Sequence, residues 1–291
     1  MSLLDQQSPF FAHPHLTGSL WPAPVRDSFK DRVAALAEVG ATGMGMGTYE
    51  LEALPAGETP GTLRTIADDH GIRIGELELL LGWHTDGDEY RQARQTEDRM
   101  YAAAEVFGVQ RIKTSAVFIP PAPLAPLDLL VERFAALCDR AAAHGLTVEL
   151  EPFAVFPAFN YDVAADVVVA ADRSNGGLLI DAWHYFRDPY GPAGLAKVDG
   201  RHITGFELAD GHAEPVGSVQ DDCIHHRLLP GEGDFDLVAL TRTLADKGVD
   251  VPVSVEVISI ELRELTPQQN AERTVAAVRK ILSDARSAGH E

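Results

Sequence analysis

Four acidic residues each follow a short apolar run that is typical of a buried strand: Glu151, Asp181, Glu207 and Glu256. Side chains alternate along a strand, so the acids that end four neighbouring strands can all point into one enclosed space. Unpaired buried carboxylates repel one another and take up protons, whereas a divalent cation removes that cost. The pattern therefore predicts a metal site. In the alternative interpretation each acid lies in a loop beyond its strand, where it is solvated or caps the next helix.

The elements that must position these acids alternate along the chain as apolar, strand-like segments and helical ones. The predicted strands cover residues 10–16, 42–46, 72–81, 110–117, 146–151, 177–181, 202–208 and 251–257. Such alternation indicates a parallel sheet, and eight parallel strands can close so that every edge is paired. We therefore predict an α/β fold, a single (β/α)8 TIM barrel that forms one domain over residues 1–291.

An open, doubly wound sheet is the alternative architecture. It would need a glycine-rich phosphate-binding turn after an early strand, and the candidate is Gly43-Met-Gly-Met-Gly47. This segment lacks the later glycine of that motif, and no predicted helix begins directly on it. A tightly packed strand is the better interpretation, which favours the barrel.

Composition limits the partners of this 291-residue chain. Lys and Arg total 24 against 44 Asp and Glu, a net charge of −20, which disfavours nucleic acid and anionic lipid surfaces as partners. No apolar run of about 18 residues predicts a membrane span. The first ten residues lack a secretory pattern, and the two cysteines, Cys138 and Cys223, suggest neither a disulfide framework nor a zinc site. We expect a cytoplasmic protein with a small-molecule substrate, and homo-oligomerisation is left open.

The segments around the four acids resemble a known family. They read Glu151-Pro-Phe, Asp181-Ala-Trp-His184, Gly-Phe-Glu-Leu-Ala-Asp210, Arg227-Leu-Leu-Pro-Gly-Glu-Gly-Asp-Phe-Asp236 and Val-Ser-Val-Glu256. Together they resemble the xylose isomerase-like sugar-phosphate isomerase/epimerase superfamily, most clearly over residues 146–257. The resemblance implies one divalent metal whose ligands are Glu151, Asp181, Glu207 and Glu256. It also implies that Glu151 and Glu256 flank the substrate carbons as catalytic groups, and that His184 and Arg227 contact substrate oxygens.

Glu207 departs from the family pattern, which usually has histidine there, or glutamine in some dehydratase-like members. A fourth carboxylate gives the site more negative charge than one divalent metal neutralises. Three interpretations stay open: Glu207 is protonated, Asp210 replaces it, or a nearby histidine does. An all-oxygen ligand set favours Mn²⁺ or Mg²⁺ over Zn²⁺.

Further residues are predicted near the substrate. Asp210 follows the seventh strand, and Trp83 and Phe118 belong to a group of aromatic residues at strand ends that suits a ring or a hydrophobic group. His13 and His15 share a face of the first strand, where a substrate contact for His13 is as reasonable as a structural role. An amidohydrolase-type site is disfavoured because acids, not histidines, end the fifth and sixth strands.

The resemblance and the four acids together indicate a metal-dependent isomerase or epimerase that acts on a sugar or related hydroxy-carbonyl compound. The metal would stabilise an enediolate, with Glu151 and Glu256 as general base and acid. The alternative is a dehydratase or lyase that acts on a cyclic polyol ketone (inosose- or dehydroshikimate-like) or on a glycoside-derived keto-sugar. A catalytically silent barrel is a third hypothesis, which the presence of all four acids disfavours.

Overall fold

Eight parallel strands close into a barrel in this computed structural model, which describes residues 3–20, 22–117 and 123–288. Neighbouring strands follow chain order, and β1 pairs with both β2 and β8. The strands are β1 (Phe10–Phe11), β2 (Gly43–Gly47), β3 (Arg73–Leu80), β4 (Arg111–Thr114), β5 (Thr147–Leu150), β6 (Gly176–Asp181), β7 (Ile203–Leu208) and β8 (Val253–Val255). The predicted (β/α)8 barrel is confirmed.

Helices follow the strands and pack outside the barrel. They are α1 (Phe29–Val39), α2 (Thr48–Glu52), α3 (Pro60–Asp69), α4 (Gly87–Phe107), α5 (Leu127–Ala142), α6 (Tyr161–Ala171), α7 (Ala182–Arg187), α8 (Gly191–Lys197), α9 (Val219–His225), α10 (Leu237–Asp246), α11 (Ile260–Arg263) and α12 (Pro267–Ser287). Among the described helices, none combines the length and the apolarity that crossing a bilayer requires.

The longer helices begin and end at signals that the sequence carries. The Ser28 hydroxyl caps α1 by accepting the N–H of Asp31, and Gly40 ends that helix in the left-handed region that favours glycine. Thr59 caps α3, whose first residue is Pro60, as expected for a proline whose missing N–H has no helical partner. These caps fix the lengths of the segments that connect the strands.

Two local predictions differ from the structure. The first strand ends at Phe11 rather than at residue 16, because Pro14 lacks the N–H that a strand ladder requires, and His13–Leu16 form a 3-10 turn instead. In addition, α2 begins directly after the glycine-rich strand β2, where no helix was predicted. Five residues are too few for helical periodicity to be visible in the sequence.

The interior of this barrel carries charged side chains. Those buried on the middle strands are Glu76 and Glu78 of β3, Arg111 and Lys113 of β4, and Glu149 of β5. Barrel interiors are usually filled by branched apolar residues. Gly205 of β7 provides part of the space, since a Cβ there would lie 3.0 Å from Glu149 Oε1. A column of charge therefore extends inside the barrel towards the carboxyl ends of the strands.

Candidate metal centre

The four acids converge at the carboxyl ends of β5 to β8. Asp181 ends β6 and pairs in register with Glu207 of β7, whereas Glu151 and Glu256 directly follow β5 and β8. All four side chains are buried, and one carboxylate oxygen from each lies within 4.8 Å of the others. The convergence predicted from their spacing is therefore present.

In the part of the chain that the structure describes, two carboxylate oxygens among the four acids lack a partner that a bound cation would provide. Glu151 Oε1 and Glu207 Oε2 are buried and have no hydrogen-bond partner among the described residues. Burying such an acceptor without a partner is costly. A divalent cation coordinated by these oxygens would satisfy both, so the residues present fit the metal that the resemblance implies.

A lysine that sequence reasoning did not select lies among these acids. Lys113 Nζ lies 2.8 Å from Glu207 Oε1, 3.2 Å from Glu256 Oε1 and 3.1 Å from Glu78 Oε2. Its distance to Glu151 Oε2 is 3.9 Å. Burial alone would lower the pKa of Lys113, but the surrounding carboxylates raise it well above its ordinary value. The side chain therefore carries a fixed positive charge at the centre of the site.

Acids outnumber cations in the charged cluster, which we define as the ten buried groups linked by these contacts: Glu76, Glu78, Arg111, Lys113, Glu149, Glu151, Asp181, Glu207, Arg227 and Glu256. It contains seven carboxyl groups and three cations, an excess of four acids. Burial raises the pKa of four of its carboxyls: of Glu78 to about 7, and of Glu149, Glu151 and Glu207 well above the ordinary value. Without a metal, burial thus favours the protonated form of these groups.

Arg227 lies buried inside the site. Its Nη1 donates to Asp181 Oδ2 at 2.8 Å and to Glu256 Oε2 at 3.1 Å, and its Nε donates to the carbonyl of Cys223. The guanidinium also lies over the ring of Trp183, 5.1 Å from the centroid. Arg227 therefore contacts two proposed metal ligands, and its contact with substrate oxygens stays a prediction.

His184 is held beside the same acids. Its Nδ1 accepts the N–H of Ala154, and the ring stacks on Phe153 with the centroids 5.0 Å apart. Nε2 lies 3.2 Å from Arg227 Nη2, which can only donate, and 3.8 Å from Glu151 Oε1. A neutral imidazole accepts at one nitrogen only, so Ala154 N–H and Arg227 compete for the acceptor of this ring. Burial lowers the pKa of His184 well below its ordinary value, so the ring is neutral at pH 7. His184, Glu151 and Asp181 also place one potential ligand atom each within 4.8 Å of one another, so these three residues are an alternative candidate ligand set.

Asp210 differs from the sequence-based prediction. Its buried carboxylate accepts four backbone N–H groups of the loop that follows β7, from Gly211, Gly231, Gly233 and Phe235, at 2.8 to 3.1 Å. These bonds occupy both oxygens. Asp210 therefore organises the loop, and neither a substrate contact nor the replacement of Glu207 agrees with this geometry.

Three further residues were predicted to contact the substrate: His13, Trp83 and Phe118. His13 is buried with its Nδ1 3.3 Å from Glu50 Oε2, and neither ring nitrogen has a hydrogen-bond partner among the described residues. Trp83 is buried in the core, where its indole N–H donates to the carbonyl of Ser115. That donor is consequently not available to a substrate. Phe118 lies outside the described residues.

The missed lysine had a weak signal in the sequence. Arg111 and Lys113 alternate on the fourth strand, so both face the same side of the sheet. Two cations in a short strand whose neighbours carry Glu76, Glu78 and Glu149 indicate buried charge pairs. What the sequence does not show is that Lys113 reaches β7 and β8, because that contact exists only once the barrel closes.

Two curated relatives match part of this chain. A 3-dehydroshikimate dehydratase from Pseudomonas aeruginosa is 27% identical over 83% of this chain and 38% of its own length. An inosose isomerase from Bacillus licheniformis is 31% identical over 52% of this chain and 55% of its own length. The chain thus spans less than two thirds of either relative.

Solved structures and a family model agree on the fold. A crystal structure described as IolI protein with a bound zinc atom superposes with a TM-score of 0.83 at 20% identity, over 95% of this chain and 98% of the other. The model of the xylose isomerase-like TIM barrel family matches residues 33–281. Since that match covers most of the sequence, the chain belongs to the xylose isomerase-like TIM barrel family.

Proposed function

We propose that the protein is a divalent-metal-dependent enzyme that isomerises or epimerises a sugar or a related hydroxy-carbonyl compound by proton transfer. The main support is the convergence of four buried carboxylates within 4.8 Å at the carboxyl ends of β5 to β8. Barrel enzymes bind and convert their substrates at this face. The similarity to an inosose isomerase supports the same reaction class.

Mn²⁺ or Mg²⁺ is the metal that we propose. Glu151, Asp181, Glu207 and Glu256 provide only oxygen donors, which suit these hard cations. The bound cation would supply Lewis acidity for the carbonyl and hydroxyl oxygens of the substrate.

The two glutamates that follow β5 and β8 would move the proton. One of Glu151 and Glu256 takes the proton from the carbon next to the carbonyl, which leaves an enediolate, and the other protonates it. Return to the opposite face of the same carbon gives the epimer, whereas return to the neighbouring carbon gives the isomer.

Elimination is the second candidate function. The relative named 3-dehydroshikimate dehydratase aligns with 83% of this chain, whereas the inosose isomerase aligns with 52%. An enediolate formed next to a carbon that bears a hydroxyl group can expel that group instead of being reprotonated. A cyclic polyol ketone of the inosose or dehydroshikimate type would then lose water, whereas a glycoside-derived keto-sugar would lose its alkoxy group as the alcohol.

Deuterium incorporation tests both candidates. The Mn²⁺-loaded protein is incubated in deuterated water with ketoses, inososes or 3-dehydroshikimate, and the products are followed by NMR and mass spectrometry. Isomerisation or epimerisation places solvent deuterium on a carbon of the product, and elimination is recognised by the loss of water. The EDTA-treated protein is the control. Absence of both signals with every substrate, in a protein that binds no metal, would favour the catalytically silent barrel.

A further inference from the structure

Lys113 reaches across the barrel to the acids on the far side. It lies on β4, whereas Glu207 lies on β7 and Glu256 directly follows β8, and its Nζ contacts both. In a barrel whose eight strands follow chain order, β4 and β8 are opposite one another. The lysine stem therefore crosses the interior and presents the ammonium at the level of the proposed metal ligands.

Three carboxylates contact this ammonium. Nζ donates hydrogen bonds to Glu207 Oε1 at 2.8 Å and to Glu256 Oε1 at 3.2 Å, and Glu78 Oε2 forms an ion pair with it at 3.1 Å. The side chain is almost completely buried, with 1% of its surface exposed. It is therefore arranged as a fixed charge and offers no free electron pair for a covalent reaction with a carbonyl.

Lys113 and a metal would share ligands. Glu207 Oε1 is bound by the ammonium while Glu207 Oε2 has no partner among the described residues, so one carboxylate faces two cation positions. Glu256 already bridges two cations, since its Oε1 accepts from Lys113 and its Oε2 from Arg227. Two cations this close repel each other, and the repulsion is strong in a buried site.

We propose that Lys113 is a resident cation that holds the carboxylates together without metal and weakens the binding of the divalent metal that joins them. This inference rests on the proposed function, because it assumes that the four acids bind a metal. It predicts opposite changes on loss of the lysine: the metal-free protein becomes less stable, and the metal binds more tightly. A residue that only supports the structure of the site would weaken both.

Lys113→Met removes the charge and keeps most of the apolar stem. Mn²⁺ alone is the probe: its dissociation constant is measured by competition with a chelating dye, and thermal unfolding is recorded with and without Mn²⁺. We expect the dissociation constant of Mn²⁺ to fall by about tenfold or more. The metal-free variant should unfold at a lower temperature than metal-free wild type. Adding Mn²⁺ should raise the unfolding temperature of the variant by more than it raises that of wild type.

Two variants serve as matched controls. Lys113→Arg keeps the charge and should leave the Mn²⁺ affinity within a few-fold of wild type. Arg111→Met removes one positive charge from the same strand, but Arg111 contacts Glu76 and Glu149 rather than the four proposed ligands. Its effect on Mn²⁺ affinity should be much smaller than that of Lys113→Met.

Each outcome separates this inference from the proposed function. If wild type and Lys113→Met bind Mn²⁺ equally well, or the variant binds it less tightly, the resident-cation role is wrong while the metal-dependent function stands. If wild type binds no Mn²⁺, the proposed function fails, and binding by the variant alone would still support the inhibitory role of Lys113. Failure of both to bind would overturn both proposals. A variant that folds only with Mn²⁺ supports the inference, and one that stays unfolded in excess Mn²⁺ contradicts it.

Discussion

One nitrogen of Arg227 joins two strands of the barrel: its Nη1 donates to Asp181 Oδ2 of β6 at 2.8 Å and to Glu256 Oε2, directly after β8, at 3.1 Å. The guanidinium is held in turn by the Cys223 carbonyl and by the face of Trp183. Because these contacts fix the planar guanidinium, its Nη1 sets the relative position of both carboxylates. Arg227 thus positions a proposed ligand and a proposed acid/base group with respect to each other.

Arg227→Lys tests this positioning. The ammonium keeps the charge but lacks the planar group that bonds the Cys223 carbonyl and lies over Trp183, so it is not held in place. We therefore expect the rate of deuterium incorporation into substrate to fall about 10- to 100-fold, with Mn²⁺ affinity changed little. NMR of the product and the chelator competition measure the two quantities. Arg187→Lys is a matched control, because Arg187 also lies over Trp183 but pairs with Asp222. An unchanged exchange rate in Arg227→Lys would show that the guanidinium is dispensable.

The sequence predicts the part of this site that depends on strand periodicity. Apolar runs that end in Glu151, Asp181 and Glu256 are local patterns, and the alternation of strands and helices predicts the barrel that brings them together. The helix caps at Ser28 and Thr59 are local as well. Each of these features depends on residues that are close in the chain.

Features that depend on long-range contacts were missed or misassigned. The contacts of Lys113 with β7 and β8 require the closed barrel, and four N–H groups surround Asp210 only after the loop to Phe235 folds back. Arg227 was predicted as a substrate contact, and its hydrogen bond with Asp181 was not foreseen because it forms only once α9 places Arg227 beside β6. Sequence spacing carries no information about which of several buried charges will meet.

The buried ring of His15 should make the folded protein less stable in mild acid. Val257 N–H donates to its Nδ1, and its Nε2 lies 3.0 Å from Asn270 Oδ1, so the buried ring is neutral with the proton on Nε2. Burial lowers the pKa of His15 from 6.5 to about 4. Below pH 6.5 the unfolded chain takes up a proton that the folded protein does not. The stability present above pH 6.5 is therefore lost as the pH falls towards 4, by about 2 kcal/mol at pH 5.

His15→Gln isolates this contribution. The amide can donate and accept at similar positions but does not titrate in this range, so other acids and histidines contribute equally to both proteins. Urea unfolding at pH 7.5 and pH 5 should show that wild type loses about 2 kcal/mol more than the variant. Equal losses in the two proteins would mean that His15 takes up its proton in the folded state.

Asp210 is expected to stabilise the loop that follows β7 without binding metal. Asp210→Ala leaves four buried or half-buried N–H groups without their acceptor, and we expect the free energy of unfolding to fall by about 3 kcal/mol. Urea unfolding measures that loss, and limited proteolysis should cut the variant between residues 210 and 236. Asp210→Asn retains one acceptor oxygen and should lose less. A Mn²⁺ stoichiometry below that of wild type in a folded Asp210→Asn protein would instead favour Asp210 as a ligand.

Replacing Glu151 or Glu256 by glutamine should affect the reaction differently from replacing Glu207 by glutamine. With saturating Mn²⁺, Glu151→Gln and Glu256→Gln keep an oxygen donor but cannot move a proton, so deuterium incorporation should fall by roughly 100- to 10,000-fold. Glu207→Gln removes a proposed ligand charge and leaves both proton-transfer groups, so most of its exchange rate should return once Mn²⁺ saturates the site. The NMR exchange assay and the bound Mn²⁺ are measured for all three variants. Equal losses of exchange in the three would mean that these acids act only as a ligand set, and that the proton is moved by another group.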